Sequence, residues 1–153
     1  MRALFAPTLV LLSLPMVLPA NAPQVSIIDS GSTNRPGVTI TVDQAGNAVV
    51  ELRGSQPQSA KLSEQLCEQL MRDVKAAGTL STLPVQHCMK SASFGSSLYV
   101  EFNGDRSPDV SCSPQPDPRS AALHKDASDI LQAVRNQLHL PMLRTARPVR
   151  PIP

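Results

Sequence analysis

Val38-Thr39-Ile40-Thr41-Val42, then Asp43-Gln44-Ala45-Gly46-Asn47, then Ala48-Val49-Val50-Glu51-Leu52-Arg53, decides the fold. The first run alternates apolar residues with threonine, the period-2 signature of a strand buried on one side. The second run is a turn, in which Gly46 can take the positive φ that a tight reversal needs. The third returns as a strand, with Ala48, Val50 and Leu52 on one face. Together they predict an antiparallel hairpin with one apolar face, and that face needs a cover.

Outward from the hairpin, the preceding stretch Gln24–Ser30 is β-prone through Val25, Ile27 and Ile28. It joins the hairpin through Gly31-Ser32-Thr33-Asn34-Arg35-Pro36-Gly37, which is dense in turn residues. On the other side, Gly54–Gln58 reads as a linker and Ser59 as a helix N-cap. From Leu62, apolar residues recur at Leu66, Cys67, Leu70, Met71, Val74 and Ala77, which is helical spacing, and Gly78 follows as a C-cap.

Leu83–Met89 is expected as a strand with Pro84 at its start. Ser96–Phe102 is a further strand, with Leu98, Val100 and Phe102 facing the core and Tyr99 and Glu101 facing away. Asn103-Gly104 is a tight-turn signal. The return, Asp105–Cys112, contains Pro108, so it must be short, bulged or at an edge. Asp117 caps a last helix with Pro118 at its first position, carrying the stripe Leu123, Ala127, Ile130, Leu131, Val134 and Leu138. The expected class is α+β: a small antiparallel sheet built from hairpins, with two helices packed on one face.

The ends of the chain read differently. Residues 1–22 have the pattern of a signal peptide. Arg2 precedes an apolar stretch, Ala3–Val17, and Ala20-Asn21-Ala22 offers cleavage after Ala20 or Ala22. The stretch is interrupted by Pro7 and Pro15 and is short for a bilayer span of about 20 residues. The expected location is therefore secreted or periplasmic, with no stable membrane span after signal removal. Residues 23–139 form a single domain. Residues 140–153 are expected as a disordered, basic, proline-rich tail carrying Arg144, Arg147 and Arg150.

Charge excludes a further class. Residues 23–143 hold 10 Lys and Arg against 12 Asp and Glu, so the domain is nearly neutral and no nucleic-acid partner is expected. Three cysteines in an exported chain allow one bridge and one free thiol. Cys67 falls on the apolar helix face and reads as a small core residue. Cys88 and Cys112 flank the second hairpin and are expected to pair, with Cys67–Cys88 the next alternative. A loop of about 25 residues closed in this way contributes roughly 3.5 kcal/mol in the chain-entropy treatment.

Catalytic and metal chemistry finds little purchase. His87 and Cys88 are adjacent and point to opposite sides of an extended chain, and no paired ligand spacing of the zinc type occurs. There is no nucleophile elbow, zincin motif or phosphate-binding glycine loop. No cofactor or metal is expected. A small hydrolase using Cys67 or another cysteine with His87 or His124 is the one enzymatic alternative.

Candidate contact residues come from loops and one ring. Arg106 and Asp109 sit in a segment whose polar residues suit either a turn or a recognition loop. Tyr99 lies on the face away from the core, where it could serve as an anchor.

The order of features resembles the emfourins, small inhibitors of thermolysin-like metallopeptidases. The likeness covers roughly residues 25–138. It runs through Asp29-Ser30-Gly31, the turn-rich loop, the Val38–Val42 strand ending in Asp43, the helix ending near Ala76-Ala77, Leu83-Pro84, the Tyr99 strand and the final helix. The resemblance implies a non-catalytic peptidase-binding role, with contacts from Ser30–Gly37, including Ser30, Gly31, Asn34 and Arg35. The leading expectation is thus an exported, non-catalytic protein-binding module. Its partner is an unidentified protein, an extracellular peptidase if the resemblance holds. A structural or envelope-associated protein is the alternative.

Overall fold

A computed structural model describes residues 23–91 and 93–140. The expected export signal, and the expected tail beyond Leu140, lie outside the described residues.

Six strands form one antiparallel sheet in the order β4-β3-β2-β1-β5-β6. They are β1 (Gln24–Asp29), β2 (Val38–Asp43), β3 (Asn47–Leu52), β4 (Gln58–Lys61), β5 (Leu98–Phe102) and β6 (Asp105–Arg106). Two helices, α1 (Glu64–Ala77) and α2 (Pro118–Leu138), complete an α+β architecture.

The apolar alternation sets the layers. Ile27 lies opposite Ile40 on one side and Val100 on the other, and Ile40 lies opposite Val50. Directly opposed β-branched side chains on one face are the unit of sheet stabilisation. All four are fully buried, and the helices cover them with Cys67, Leu70, Met71 and Val74 from α1 and Leu123, Ala127, Ile130 and Val134 from α2. Those positions recur every three or four residues, so each helix presents one stripe. The opposite sheet face stays open and mostly polar, with Ser26 and Thr41 hydrogen-bonded across it at 3.1 Å.

The helix ends follow capping chemistry. Asp117 accepts from the amides of Arg119 and Ser120, with Pro118 at the first turn. His139 closes α2 in the left-handed region, and Leu140 turns back into the core.

Three expectations need correction. Ser59 does not cap α1; it lies in β4, and Ser63 is the cap, accepting from the Leu66 amide. The four residues Gln58–Lys61 carry only one buried side chain, Ala60, too little for a period to show in the sequence. The linker accordingly ends at Pro57. Leu83–Met89 forms no strand: Pro84 lacks a donor, and no neighbouring strand pairs with the segment. The return strand is short and at the sheet edge, as Pro108 leads one to expect, and covers only Asp105–Arg106. Beyond it the pairing is mixed around Pro108: the Ser107 and Val110 amides donate to the Val100 and Leu98 carbonyls at 2.9 Å each, while the Val100 amide donates to Ser107 Oγ at 3.0 Å and the Leu98 amide to Asp109 Oδ1 at 3.1 Å.

Candidate functional site

The sheet has two ends. At one, the turns are tight: Asp43–Asn47 between β2 and β3, and Asn103-Gly104 between β5 and β6. At the other, two long loops meet, Ser30–Gly37 and the run 83–97. The candidate residues gather at this second end.

The Ser30–Gly37 loop begins at Asp29, the last residue of β1. Its place in the inward-facing alternation buries it. A buried carboxylate needs partners, and this one has three. The Gly31 amide donates to Oδ1 at 2.9 Å, Arg35 Nη2 lies 2.7 Å from Oδ2, and Arg135 Nη2 reaches Oδ2 at 2.9 Å from the end of α2. Burial, followed by the neighbouring Arg35 charge, pulls the Arg135 guanidinium below its ordinary value. Gly31 is required: its φ is +71°, and an added Cβ would stand 2.4 Å from the Arg35 carbonyl oxygen.

The loops are sewn together. The Ser30 amide donates to the Ser97 carbonyl at 2.9 Å, and the Ser97 amide returns to Ser30 Oγ at 2.8 Å. Arg35 Nη2 donates to Ser96 Oγ at 2.8 Å, and Asn34 Nδ2 to the Ser93 carbonyl at 3.2 Å.

The run 83–97 has its own anchors. Leu83 is buried. Cys88 and Cys112 stand at disulfide distance, with Sγ atoms 2.10 Å apart and Cα atoms 5.6 Å apart. Lys90 Nζ ion-pairs with Asp109 and donates to Ser111 Oγ at 2.6 Å and Ser97 Oγ at 3.1 Å. Burial pushes the Asp109 carboxyl up. The bonds from Lys90, Ser111 and Ser97 outweigh that and hold it well below the usual carboxylate range. Between these anchors the chain is almost wholly exposed, and Val85, Met89 and Phe94 project into solvent.

Ser30, Gly31, Asn34, Arg35, Asp109 and the Cys88–Cys112 pair are thus brought together. Tyr99 and Arg106 form a separate pair on the open sheet face, with the guanidinium carbon 4.2 Å from the ring centroid. Sequence reasoning missed Arg135, which is 106 residues from Asp29. It also missed the exposed trio Val85, Met89 and Phe94. The usable signal for Asp29 was an acid at an inward strand position.

The cysteine-hydrolase chemistry lacks a nucleophile at this end. Cys67 is buried in the core, and burial pushes its thiol up, away from the reactive thiolate. Among the described residues no three His, Cys, Asp or Glu side chains are grouped to hold a metal ion, and no helix is long and apolar enough to cross a membrane.

A second titratable pair lies between the helices. Asp126 of α2 is buried, and desolvation, then the neighbouring Asp73 of α1, pushes its carboxyl up to about 7. Asp73 accepts from Gln69 Nε2 at 2.7 Å. No family model, curated protein or solved structure matches this chain.

Proposed function

We propose that this chain is an exported, non-catalytic protein-binding module of peptidase-inhibitor type. It would act in a secreted or periplasmic space, and its contact surface is the two-loop end of the sheet. The observation that carries this reading is the concentration of exposed apolar side chains. Four large hydrophobic residues are exposed among the described residues, and three of them, Val85, Met89 and Phe94, stand on the one tethered loop. Scattered apolar residues on a surface mean little, whereas grouped ones on a pinned scaffold mark a contact site. Pinning also lowers the ordering entropy that association must overcome.

The Cys88–Cys112 pair fits an oxidising compartment, as does the export pattern of residues 1–22. The loop Ser30–Gly37, which the emfourin resemblance marks for peptidase contact, adjoins the exposed trio through Asn34 and Arg35. Photocrosslinking tests the module reading. A photoreactive residue at Phe94 should trap one discrete protein in the exporting cell's envelope or medium. The same residue at Lys61, at the far end of the sheet, should not. Equal labelling from both positions would sink the reading.

A further inference from the structure

Asp29 gathers more positive charge than it can neutralise. Its Oδ1 accepts from the Gly31 amide at 2.9 Å and from Arg35 Nη2 at 3.0 Å. Its Oδ2 lies 2.7 Å from Arg35 Nη2 and 2.9 Å from Arg135 Nη2. Two guanidiniums therefore meet one carboxylate, and the cluster keeps a surplus of one positive charge. Among the described residues no second carboxylate is bonded to either arginine. Asp109, the other acid tied into this end, is taken by Lys90.

The surplus is not needed to satisfy Asp29. A buried carboxylate requires partners, and the Gly31 amide with Arg35 already occupies both of its oxygens. Burial, and after it the Arg35 charge, pulls the Arg135 guanidinium below its ordinary value, and the attraction of Asp29 does not restore it. Like charges held together in half-buried positions repel, and a further anion would relieve them.

The unused donors show where that anion fits. Every hydrogen bond that either side chain donates among the described residues leaves from Nη2: to Asp29 in both, and from Arg35 also to Ser96 Oγ at 2.8 Å. Nε and Nη1 of both arginines have no acceptor in the protein. None of these nitrogens is a buried orphan, so they meet solvent. The two side chains are otherwise well covered, 17% and 26% exposed. A guanidinium fork matches a carboxylate through parallel N–H···O bonds. Asp29 and Ser96 already hold the heads in place, so little side-chain freedom is left to lose on binding.

We infer that Arg35 and Arg135 form a receptor for one carboxylate at the two-loop end, with Asp29 as the buried post that sets them side by side. A carboxylate suits the surplus better than a phosphate, because a single charge balances it and a dianion would reverse it. The C-terminal end of α2 carries partial negative charge beside Arg135. That keeps the affinity for a free carboxylate in the millimolar range, about what one or two charge-assisted bonds supply. The receptor does not rest on the protein-binding reading above. A small free carboxylate and an acidic side chain of a protein present the same oxygens to the same donors.

The test follows the arginine Nε–H resonances of the oxidised protein by NMR. Sodium acetate, a capped Ala-Glu-Ala peptide and sodium phosphate are titrated in turn at constant ionic strength, set with chloride. The Arg35 and Arg135 signals should shift together and saturate with acetate. Those of Arg106, a lone guanidinium on the open face, and Arg119, whose Nε already bonds Asp117, should stay in place. Arg135→Lys keeps the charge and loses the fork, and should weaken acetate binding about tenfold, with circular dichroism confirming the fold. Arg35→Lys should act in the same direction. Tighter binding of the peptide than of acetate supports a protein's acidic side chain as the source, and equal binding supports a free carboxylate. Equal shifts at all of these arginines, a response that never saturates, or an acetate affinity unchanged in Arg135→Lys would overturn the receptor. Phosphate binding much tighter than acetate would overturn the carboxylate as its ligand. Photocrosslinking from Phe94 reports on the module reading separately.

Discussion

The two ends of the sheet are closed by different kinds of bond. At the Gly46 end the Asp43 carboxylate accepts from the Asn47 amide at 2.8 Å and from Asn47 Nδ2 at 2.7 Å, four residues away. These bonds can form as soon as the hairpin turns. At the Gly31 end the ties span 59 residues from Asn34 to Ser93, 67 from Ser97 to Ser30, and 106 from Arg135 to Asp29. None can form until the strands and α2 are in place. One end is closed by shorter ties, from 4 residues up to 25 between Leu80 and Asp105, and carries a single exposed large apolar residue, Val49. The other is assembled from distant parts and carries the exposed trio. Functional surface tends to lie on loops held by a rigid frame, and here the frame extends into the loops themselves.

Four measurements break or sharpen this comparison. The largest effect is expected from Asp29→Ala, which leaves Arg35 and Arg135 facing each other without the carboxylate. Removing one member of a buried ionic cluster costs about 3–5 kcal/mol, to be read by urea denaturation. A loss below about 1 kcal/mol would show that the ends are not differently held.

Next comes the double change Cys88→Ser with Cys112→Ser. The bridge closes a separation of 24 residues, and its loss should cost about 3.5 kcal/mol of stability. It should also raise hydrogen exchange at the Ser97, Leu98 and Ser111 amides, which are bonded at the two-loop end, while the amides of Val49 and Val50, which face no tether, remain protected. Uniform loss of protection would mean that the bridge holds the whole fold and not this end.

The third concerns pH. Asp126 has a raised carboxyl, so its contribution is present below about pH 4 and lost as pH rises through about 7. Asp109 has a lowered one, so its contribution is present above about pH 4 and lost as pH falls through its folded value. Alkali should therefore loosen the helix pair and strong acid the two-loop end. Asp126→Asn should raise the melting temperature at pH 8 by about 5–10 °C and leave it nearly unchanged at pH 4. An equal gain at both pH values would remove the proton from the explanation.

The smallest effect is expected from Asp43→Ala. It should cost roughly 1 kcal/mol, the loss of two exposed hydrogen bonds, with no change in exchange at Pro84–Ser97. A cost as large as that of Asp29→Ala would erase the contrast between the ends.

How much of this was legible follows the same division. The β2–β3 hairpin, the Asn103-Gly104 turn, the Asp117-Pro118 cap and both helical stripes rest on contacts within a few residues, and periodicity reports those directly. The Cys88–Cys112 pairing was readable because both cysteines flank one hairpin and Cys67 fell on a core stripe. Strand β4 was not, because its pairing with Asn47–Val50 is the only thing that makes Gln58–Lys61 a strand. Leu83–Met89 looked like a strand because its residue types suit one, with Pro84 at a tolerated position near the start. What it lacks is a neighbour, which no window along the chain can show. Arg135 sits on a helix with ordinary charged neighbours, and nothing local marks it as the partner of Asp29.

Cys67 has a consequence for the route by which the bridge is made. Three thiols can join in three ways, and an oxidant meeting an unfolded chain chooses among them by proximity and collision. Once α1 docks, Cys67 is sealed under the sheet with no solvent access, and the choice falls from three to one. Oxidation before docking would divide the chains among productive and dead-end isomers; oxidation after docking would not. The yield of correctly bridged protein is therefore a race between burial of one helix and arrival of an oxidant, and Cys67→Ala would take the race away.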